Sequence, residues 1–238
     1  QQNSGKLEIE IGGSTQGTEY DYLNVAGVAT LDGEIEIVFL NNYQPSGGEA
    51  FTILSASSLT NSGYTLTLPA LTGSGLQWEV EETSTQLTLK VTFTEDLDGF
   101  RAEYGLNADG SDDWLDWSGN GQENIKYYLF GLGAPNQTNA PQLSYGVTPS
   151  SGLPVLVEES DGSFTYSFTQ RKNEAAFLYT CESSSDLLSW FDVLNSSAPH
   201  QPTSSSTESI DSYYQIQHYN FSQSTTPAFF QIKTEASP

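Results

Sequence analysis

Residues 20–39 read YDYLNVAGVATLDGEIEIVF and contain the clearest structural signal in the chain. Apolar or small residues occupy every second position, first from Leu23 to Leu31 and again from Ile35 to Phe39. A period of two is typical of strands that bury one face, because successive side chains point to opposite sides. Asp32-Gly33, between the two runs, favours a turn. This stretch therefore predicts two consecutive β-strands.

The same alternation extends from Lys6 to Phe93, and nothing in that region has helical spacing. Short strands separated by turns are compatible with a sandwich, a barrel or a β-solenoid, and periodicity alone does not choose among these. The further strands predicted here lie at residues 7–11, 51–54, 64–68, 76–80 and 87–93.

The residue composition changes after Glu95, where aromatic and acidic residues are interleaved. The best helix candidate is Gln122 to Leu132, with Gly133 ending it. A linker rich in Pro, Ser, Asn and Gly is predicted from Ala134 to Pro154. The second β region has predicted strands near residues 164–169, 177–182, 190–194, 213–219 and 228–234, with a mobile loop over 195–209.

The net charge limits the classes of partner. Thirty acidic residues against seven basic ones give a formal charge of −23. Nucleic acid is excluded as a partner because its binding depends on Lys and Arg, and the same repulsion disfavours anionic membranes. No run approaches the roughly 18 apolar residues of a membrane span. This composition is typical of extracellular proteins, and the missing Met and signal sequence at Gln1 predict that a longer parent polypeptide precedes the chain.

Candidate catalytic groups are few. Cys181 is the only cysteine, which excludes an internal disulfide or a zinc cluster and predicts a buried, inert thiol. His200 and His218 lie outside any nucleophile motif and are interpreted as ordinary surface or half-buried histidines. Carboxylates are abundant, but the basic residues that a polysaccharide lyase needs are scarce in residues 1–95. The sequence therefore predicts a protein that is not an enzyme.

The first segment resembles the terminal part of an autotransporter-type β-helix passenger repeat. This resemblance implies a right-handed parallel β-helix over about residues 1–95, in which glycines mark turns and alternating apolar residues point inward. The residues that carry it are Gly5, Leu7, Ile9, Ile11, Gly12, Gly13, Tyr20, Asp21, Leu23, Val25, Gly27, Ala29, Leu31, Gly33, Pro45, Gly48, Phe51, Ile53 and Leu54.

The remainder resembles a tail found after such repeats in large bacterial exoproteins. Residues 116–131 are similar to the calcium-loop pattern of that tail, in which acidic residues at alternate positions precede a short helix. Residues 177–190 are similar to its β-sandwich signature, a strand, a Ser/Asp turn and a buried Trp190. The resemblance implies a module linked to display or secretion, and it assigns no ligand.

The loop from Asp116 to Asn124 predicts a calcium site. Its spacing can present Asp116, Ser118 and Asn120 to one point, with the Gln122 carbonyl and Asn124 completing six to eight oxygens.

This loop departs from the usual calcium pattern at its end. Tyr127 stands where a bidentate Glu normally closes the loop, and Glu123 is in the wrong register. With one carboxylate at the core positions, the expected affinity is in the weak extracellular range, about 10⁻⁴ to 10⁻³ M. The alternative is a metal-free Asn-Gly turn that caps the following helix.

Aromatic doublets are the best indication of a binding surface. Neighbouring side chains of a strand face opposite ways, so one ring each of Tyr213-Tyr214 and Phe229-Phe230 should leave the core. Exposed rings can stack on sugar faces, and Tyr213 and Tyr214 are the candidate ligand-binding residues. The alternative is that residues 96–135 or the first domain cover them. For Trp114 and Trp117 the sequence is compatible with either an exposed or a buried position.

These observations predict an all-β protein with three parts. Residues 1–95 are expected to form a parallel β-helix segment. Residues 96–139 are expected to form a short helical connector that contains the calcium-like loop, and residues 140–238 a β-sandwich. The function expected is a non-catalytic structural or anchoring module at the C-terminal end of a large secreted or surface bacterial protein. The alternative is a polysaccharide-binding module attached to a carbohydrate-active enzyme, with cell-surface components as partners.

Overall fold

The computed structural model of the chain describes residues 5–135, 154–224 and 228–237. These residues form an all-β protein with two short helices, and none of its helices is long and apolar enough to cross a membrane. The helices are α1 (Leu97–Tyr104) and α2 (Asn124–Phe130). The strands are β1 (Lys6–Ile11), β2 (Leu23–Leu31), β3 (Glu34–Phe39), β4 (Ala50–Asn61), β5 (Thr65–Thr67), β6 (Leu76–Glu82), β7 (Gln86–Phe93), β8 (Val155–Glu158), β9 (Phe164–Arg171), β10 (Phe177–Ser184), β11 (Phe191–Asp192), β12 (Ser204–Ser209), β13 (Tyr214–Phe221) and β14 (Phe229–Ala236).

The chain divides into two compact units, unit 1 (Gln1–Ser111) and unit 2 (Asp112–Pro238). The predicted three-part division differs from this one. Residues 96–139 are shared between the two units, because α1 belongs to unit 1 whereas α2 belongs to unit 2.

Unit 1 contains two stacks of parallel strands. One stack has the order β1-β3-β5, and in the other β2 pairs in parallel with β4. The chain alternates between the stacks, so that Lys6 is paired with Glu34, 28 residues later, and Glu34 with Thr65, 31 residues later. We call residues 6–33, which contain one strand of each stack, the first coil.

The core of unit 1 contains residues of both stacks and confirms the predicted alternation in β1 and β3, whereas in β2 Leu31 is buried but Leu23 and Gly27 are exposed. Ile9 and Ile11 in β1 are buried, as are Ile35 and Ile37 in β3, whereas the acidic residues between them are not. The Phe51 ring meets the rings of Tyr20, Tyr43 and Trp78 with centroid distances of 5.3, 6.5 and 6.4 Å.

One end of unit 1 departs from parallel stacking. β7 is antiparallel to β4 on one side and to β6 on the other. Helix α1, which the sequence did not predict, packs against β7. Asp96 caps it by accepting a hydrogen bond from the Gly99 amide, and Gly105 ends it in a left-handed conformation.

Unit 2 contains two antiparallel sheets, β12-β13-β9-β8 and β11-β10-β14. Aromatic rings from the two sheets are in contact, with Phe230 of β14 lying 5.4 Å from Phe164 and 4.8 Å from Phe221. Strand β12 lies within the predicted mobile loop. Its residues are all exposed and polar, so it has no apolar alternation from which it could be predicted.

Helix α2 is shorter than predicted. It begins at Asn124 and ends at Gly131, two residues before the predicted stop at Gly133. Gly131 has φ of 64° and its amide donates to the Tyr127 carbonyl, which closes the last turn. The predicted linker from Ala134 to Pro154 lies outside the described residues from position 136 to 153.

Candidate functional site

The best-defined polar cluster of unit 2 surrounds Arg171, the last residue of β9. Its guanidinium carbon lies 4.2 Å from the centroid of the Tyr128 ring, 5.2 Å from that of Tyr214 and 5.5 Å from that of Tyr213. Distances below about 6 Å allow attraction between a cation and the ring faces. We call these four residues the Arg171 cluster.

Two tyrosine hydroxyls fix the end of α2 beside this cluster. Tyr214 donates to the Tyr128 carbonyl at 2.7 Å, and Tyr179 of β10 donates to the Leu129 carbonyl at 2.8 Å. The last carbonyls of a helix have no partner within the helix, so these hydroxyls satisfy them. The Arg171 cation near this helix end also complements its partial negative charge.

Glu174 completes the electrostatics of the cluster. The Tyr128 hydroxyl donates to Glu174 Oε2 at 2.6 Å, and Arg171 Nε lies 3.9 Å from the same oxygen. Burial and the Glu174 carboxylate raise the pKa of Tyr128 above its usual value. Tyr128 therefore stays neutral and acts as a hydrogen-bond donor at physiological pH.

The predicted ligand-binding tyrosines have different environments. The Tyr214 hydroxyl is used in positioning α2, and its ring lies against Gly131, so residues of the 96–135 segment cover it. Tyr213 precedes β13 and remains 41% exposed. The other doublet also separates, since Phe229 is exposed and Phe230 contacts the opposite sheet.

A cleft of about 630 Å³ opens next to Arg171, at the end of β9. Gln170 and Gln215 lie directly opposite each other on β9 and β13 and both line it. The full lining consists of Gln170, Arg171, Lys172, Asn173, Glu174, Ala175, Tyr179 and Gln215. This site could not be predicted from the sequence, because single glutamines in two distant strands form no recognisable spacing pattern.

The predicted calcium loop is closed by its own hydrogen bonds. Asp116 Oδ1 accepts from the Gly119 and Asn120 amides at 2.8 and 3.2 Å and from the Ser118 hydroxyl at 3.2 Å. Its Oδ2 accepts from the Gly121 amide at 2.7 Å. These donors, Gly121 foremost, lower the pKa of the Asp116 carboxyl.

The other predicted ligands of that loop point to different partners. Asn120 Nδ2 donates to the Tyr127 hydroxyl, while its Oδ1 accepts from the Gln122 amide at 3.0 Å. Asn124 is fully buried and its Nδ2 donates to the Asp112 carbonyl at 2.8 Å. These hydrogen bonds engage the side chains of Asp116, Asn120 and Asn124, so a calcium ion bound in this loop would have to displace some of them. In the part of the chain that the structure describes, no group of three His, Cys, Asp or Glu side chains is placed to hold a metal.

We expect calcium and chelator to leave the melting temperature of unit 2 unchanged at neutral pH, because an ion would have to displace the donors on Asp116. Asp116→Ala lowers the melting temperature equally with and without calcium. Since the pKa of Asp116 is lowered on folding, its contribution is present above the unfolded-state pKa and is lost as pH falls through the folded value. Calorimetry measures both effects.

Asp161→Ala is the control for that experiment. Asp161 also closes a turn in unit 2, by accepting from the Ser163 amide and hydroxyl. A rise in melting temperature with millimolar calcium that Asp116→Ala removes and Asp161→Ala keeps would establish the predicted calcium site.

One Ser, one His and one Glu side chain lie in a row across three neighbouring strands of unit 2. This arrangement was not predicted from the sequence. Ser167 Oγ of β9 and His218 Nδ1 of β13 share a hydrogen bond of 2.8 Å, and His218 Nε2 lies 3.8 Å from Glu208 of β12. This order of groups is that of a nucleophilic triad. However, Ser167 is only 3% exposed, so a substrate carbonyl cannot reach its hydroxyl. The arrangement instead satisfies a buried serine.

The remaining candidates are structural. Cys181 is buried, as predicted, and burial raises the pKa of its thiol to about 12, which keeps it protonated and unreactive. His200 is buried and its ring lies 5.9 Å from that of Phe230. Trp114 and Trp117 are exposed, whereas Trp190 is half-buried rather than in the core.

Unit 1 has an exposed apolar edge at its first coil. Among the described residues, β2 is the edge strand of its sheet and pairs there with β4, and its Val28 and Leu23 side chains are 68% and 41% exposed. A cleft of about 400 Å³ lies there, lined by Lys6, Leu7, Leu23, Val25, Val28, Ala29, Thr30, Leu31 and Leu54. We call β2 together with residues 6–8 of β1 the open edge. Further along β1 the edge is closed, because Glu10 exchanges hydrogen bonds with Asp21.

Comparisons with known proteins add no family. No protein-family model matches the chain, and no curated protein matches its sequence.

Proposed function

We propose that this protein is a non-catalytic structural module that ends a stack of parallel β-coils. In this proposal unit 1 is the terminal part of a parallel β-helix and unit 2 is a β-sandwich that serves as an extracellular anchoring tail. The single observation that carries the proposal is the open edge, where β2 is the edge strand of the described sheet and has the strand direction and the apolar surface that another coil needs.

The two ends of unit 1 differ in a way that supports a terminal role. At the open edge, one more parallel strand can pair with β2 in the direction in which β2 pairs with β4. At the other end, β7 runs antiparallel to β4 and α1 packs against it, so the parallel repeat does not continue. A solenoid needs such an atypical capping element at its end.

The exposed apolar residues also need an explanation in terms of function. Single exposed apolar side chains are ordinary, but Leu23 and Val28 both line one cleft at an edge strand. An exposed strand edge is a site where further chain adds. We therefore assign the open edge to a preceding coil of a longer polypeptide.

The non-catalytic and extracellular parts of the proposal have separate support. The Ser167 hydroxyl and the Cys181 thiol are both buried, and the thiol pKa is raised. The charge of −23 suits a soluble protein outside the cell, and the resemblance to exoprotein tails agrees with an anchoring role.

The proposal is tested by giving the open edge a coil. A variant carries a second copy of residues 6–33 directly before Lys6, so that Gly33 of the copy joins Lys6 as Gly33 joins Glu34 in the native chain. We expect the added coil to fold onto β2 and raise the melting temperature of unit 1, by about 4–8 °C for each kcal/mol gained. Calorimetry measures the shift.

Val28→Lys in the native copy is the matched disruptor. In the unextended chain Val28 is exposed, so the change stays within about 0.5 kcal/mol. In the extended variant it puts a charge beside Val28 of the added coil in place of an apolar partner, and we expect it to reduce the gain. An added copy that stays unfolded and leaves the melting temperature unchanged contradicts the proposal.

A further inference from the structure

We propose that the cleft beside Arg171 in unit 2 binds a neutral saccharide through the side-chain amides of Gln170 and Gln215. This site is separate from the open edge of unit 1, and it adds a binding activity to the structural role. We call it the glutamine cleft.

The two amides are close together and free to bind. Gln170 and Gln215 are directly opposed on neighbouring antiparallel strands, which places their Cβ atoms about 4.5–5.5 Å apart on the same face of the sheet. Both residues are half-buried, and neither side chain forms a hydrogen bond to another of the described residues. Gln217, which lies two residues further along β13 than Gln215, instead donates to the Ser206 and His218 carbonyls.

The size and chemistry of the cleft suit a sugar unit. Its volume of about 630 Å³ lies within the range of roughly 300–1,000 Å³ that ligand pockets occupy. Each glutamine amide offers two donors and one acceptor oxygen, so a pair of them can bind neighbouring hydroxyls that both donate and accept. Tyr179 contributes an aromatic ring to the lining.

The charged groups of the lining are already compensated, which favours a neutral ligand. Arg171 donates to the Tyr214 hydroxyl at 3.0 Å and lies beside Glu174. Lys172 Nζ donates to the Ser209 hydroxyl at 2.6 Å and to the Asp211 carbonyl. The net charge of −23 repels acidic polymers in addition.

Hydrogen bonds hold Tyr179, one of the lining residues, in a fixed position beside the cleft. Tyr179 is held between the Leu129 carbonyl and the Arg171 amide, which donates to its hydroxyl at 3.2 Å. A site whose supporting residues are locked in this way loses less entropy on binding than a mobile one.

Affinity electrophoresis of the whole chain tests the proposal with four neutral polymers, laminarin, galactomannan, xylan and glycogen, and with alginate as the acidic polymer. We expect at least one neutral polymer to retard the chain and alginate to leave it unretarded. The double variant Gln170→Ala/Gln215→Ala should bind about tenfold or more weakly, because it loses the hydrogen bonds of two amides.

Gln223→Ala is the matched control, since Gln223 is exposed and follows β13 at the opposite end of the β9 and β13 pair. It should keep full binding. If the double variant does not fold, as judged by its melting curve, Gln215→Ser alone is used, and the side-chain NH₂ signals of Gln170 and Gln215 are followed by NMR while a soluble oligosaccharide of the retarding polymer is added. Shifts confined to those signals and their neighbours support the proposal.

Three results would overturn the glutamine cleft. The first is that none of the four neutral polymers retards the chain. The second is retardation by alginate alone. The third is retardation that the double variant and Gln223→Ala show to the same degree as the native chain.

Discussion

Replacing Phe51 by alanine lowers the free energy of unfolding of unit 1 by about 3–5 kcal/mol. The Phe51 side chain is fully buried and its ring meets those of Tyr20, Tyr43 and Trp78. Its removal loses the transfer free energy of the ring and leaves a cavity between the two parallel stacks. Denaturant unfolding followed by the fluorescence of Trp78, the only Trp of unit 1, measures the loss.

Phe191→Ala is the control for this change, because Phe191 is an exposed residue of unit 2 and its loss should cost no more than about 0.5 kcal/mol. Calorimetry should show that Phe51→Ala shifts the transition of unit 1 alone. A cost below about 1 kcal/mol would mean that the stacks are not packed around this ring.

Replacing Gly75 by alanine destabilises unit 1 by about 2–5 kcal/mol, through backbone strain and a clash together. Gly75 has φ of 74°, and a Cβ atom there would lie 2.2 Å from the Asp98 carbonyl oxygen in α1. The clash involves backbone, so α1 must move away from the end of the β-sheet. Chemical denaturation of the variant measures the effect.

Gly17→Ala separates the two causes. Gly17 has φ of 73°, almost the same value, but a Cβ atom there meets nothing within 4 Å. We expect it to cost about 1 kcal/mol from strain alone. Equal costs at the two glycines would show that α1 does not pack tightly against Gly75.

The sequence predicted β1 and β3 of unit 1 because burial in these strands is one-sided. Ile35 and Ile37 alternate with Glu34 and Glu36, and the structure buries the first pair and pairs the strand as the alternation requires. In contrast, β12 consists of Ser, Thr and Glu and is an exposed edge strand, so its pairing with β13 is determined by its partner alone. Such a strand has no alternation of apolar and polar residues in the sequence from which it could be predicted.

The candidate sites were harder to predict, because their residues come together through pairing of distant strands. Gln170 and Gln215 become neighbours only when β9 pairs with β13, and Ser167 meets His218 by the same pairing. The calcium prediction rested on the spacing of Asp116, Ser118 and Asn120, but spacing does not reveal that backbone amides already occupy the Asp116 oxygens.

The helix boundary illustrates a further limit of the sequence. Gly131 and Gly133 are equally able to end a helix, and both have positive φ. The hydroxyls of Tyr179 and Tyr214 hold the last carbonyls of α2 and thereby favour the earlier stop. Tertiary contacts from two sheets therefore decide the choice.

Amide hydrogen exchange of β2 is the most direct test of the proposal that unit 1 ends a stack of coils. In the native chain the β2 amides that point away from β4 should exchange rapidly, while those of β4, which has strand partners on both sides, exchange slowly. In the variant with a second copy of residues 6–33 we expect the β2 amides to slow to the rates of β4, and Val28→Lys to restore fast exchange. If the β2 amides exchange at the same rate with and without the added coil, the open edge does not accept a coil and the account is contradicted.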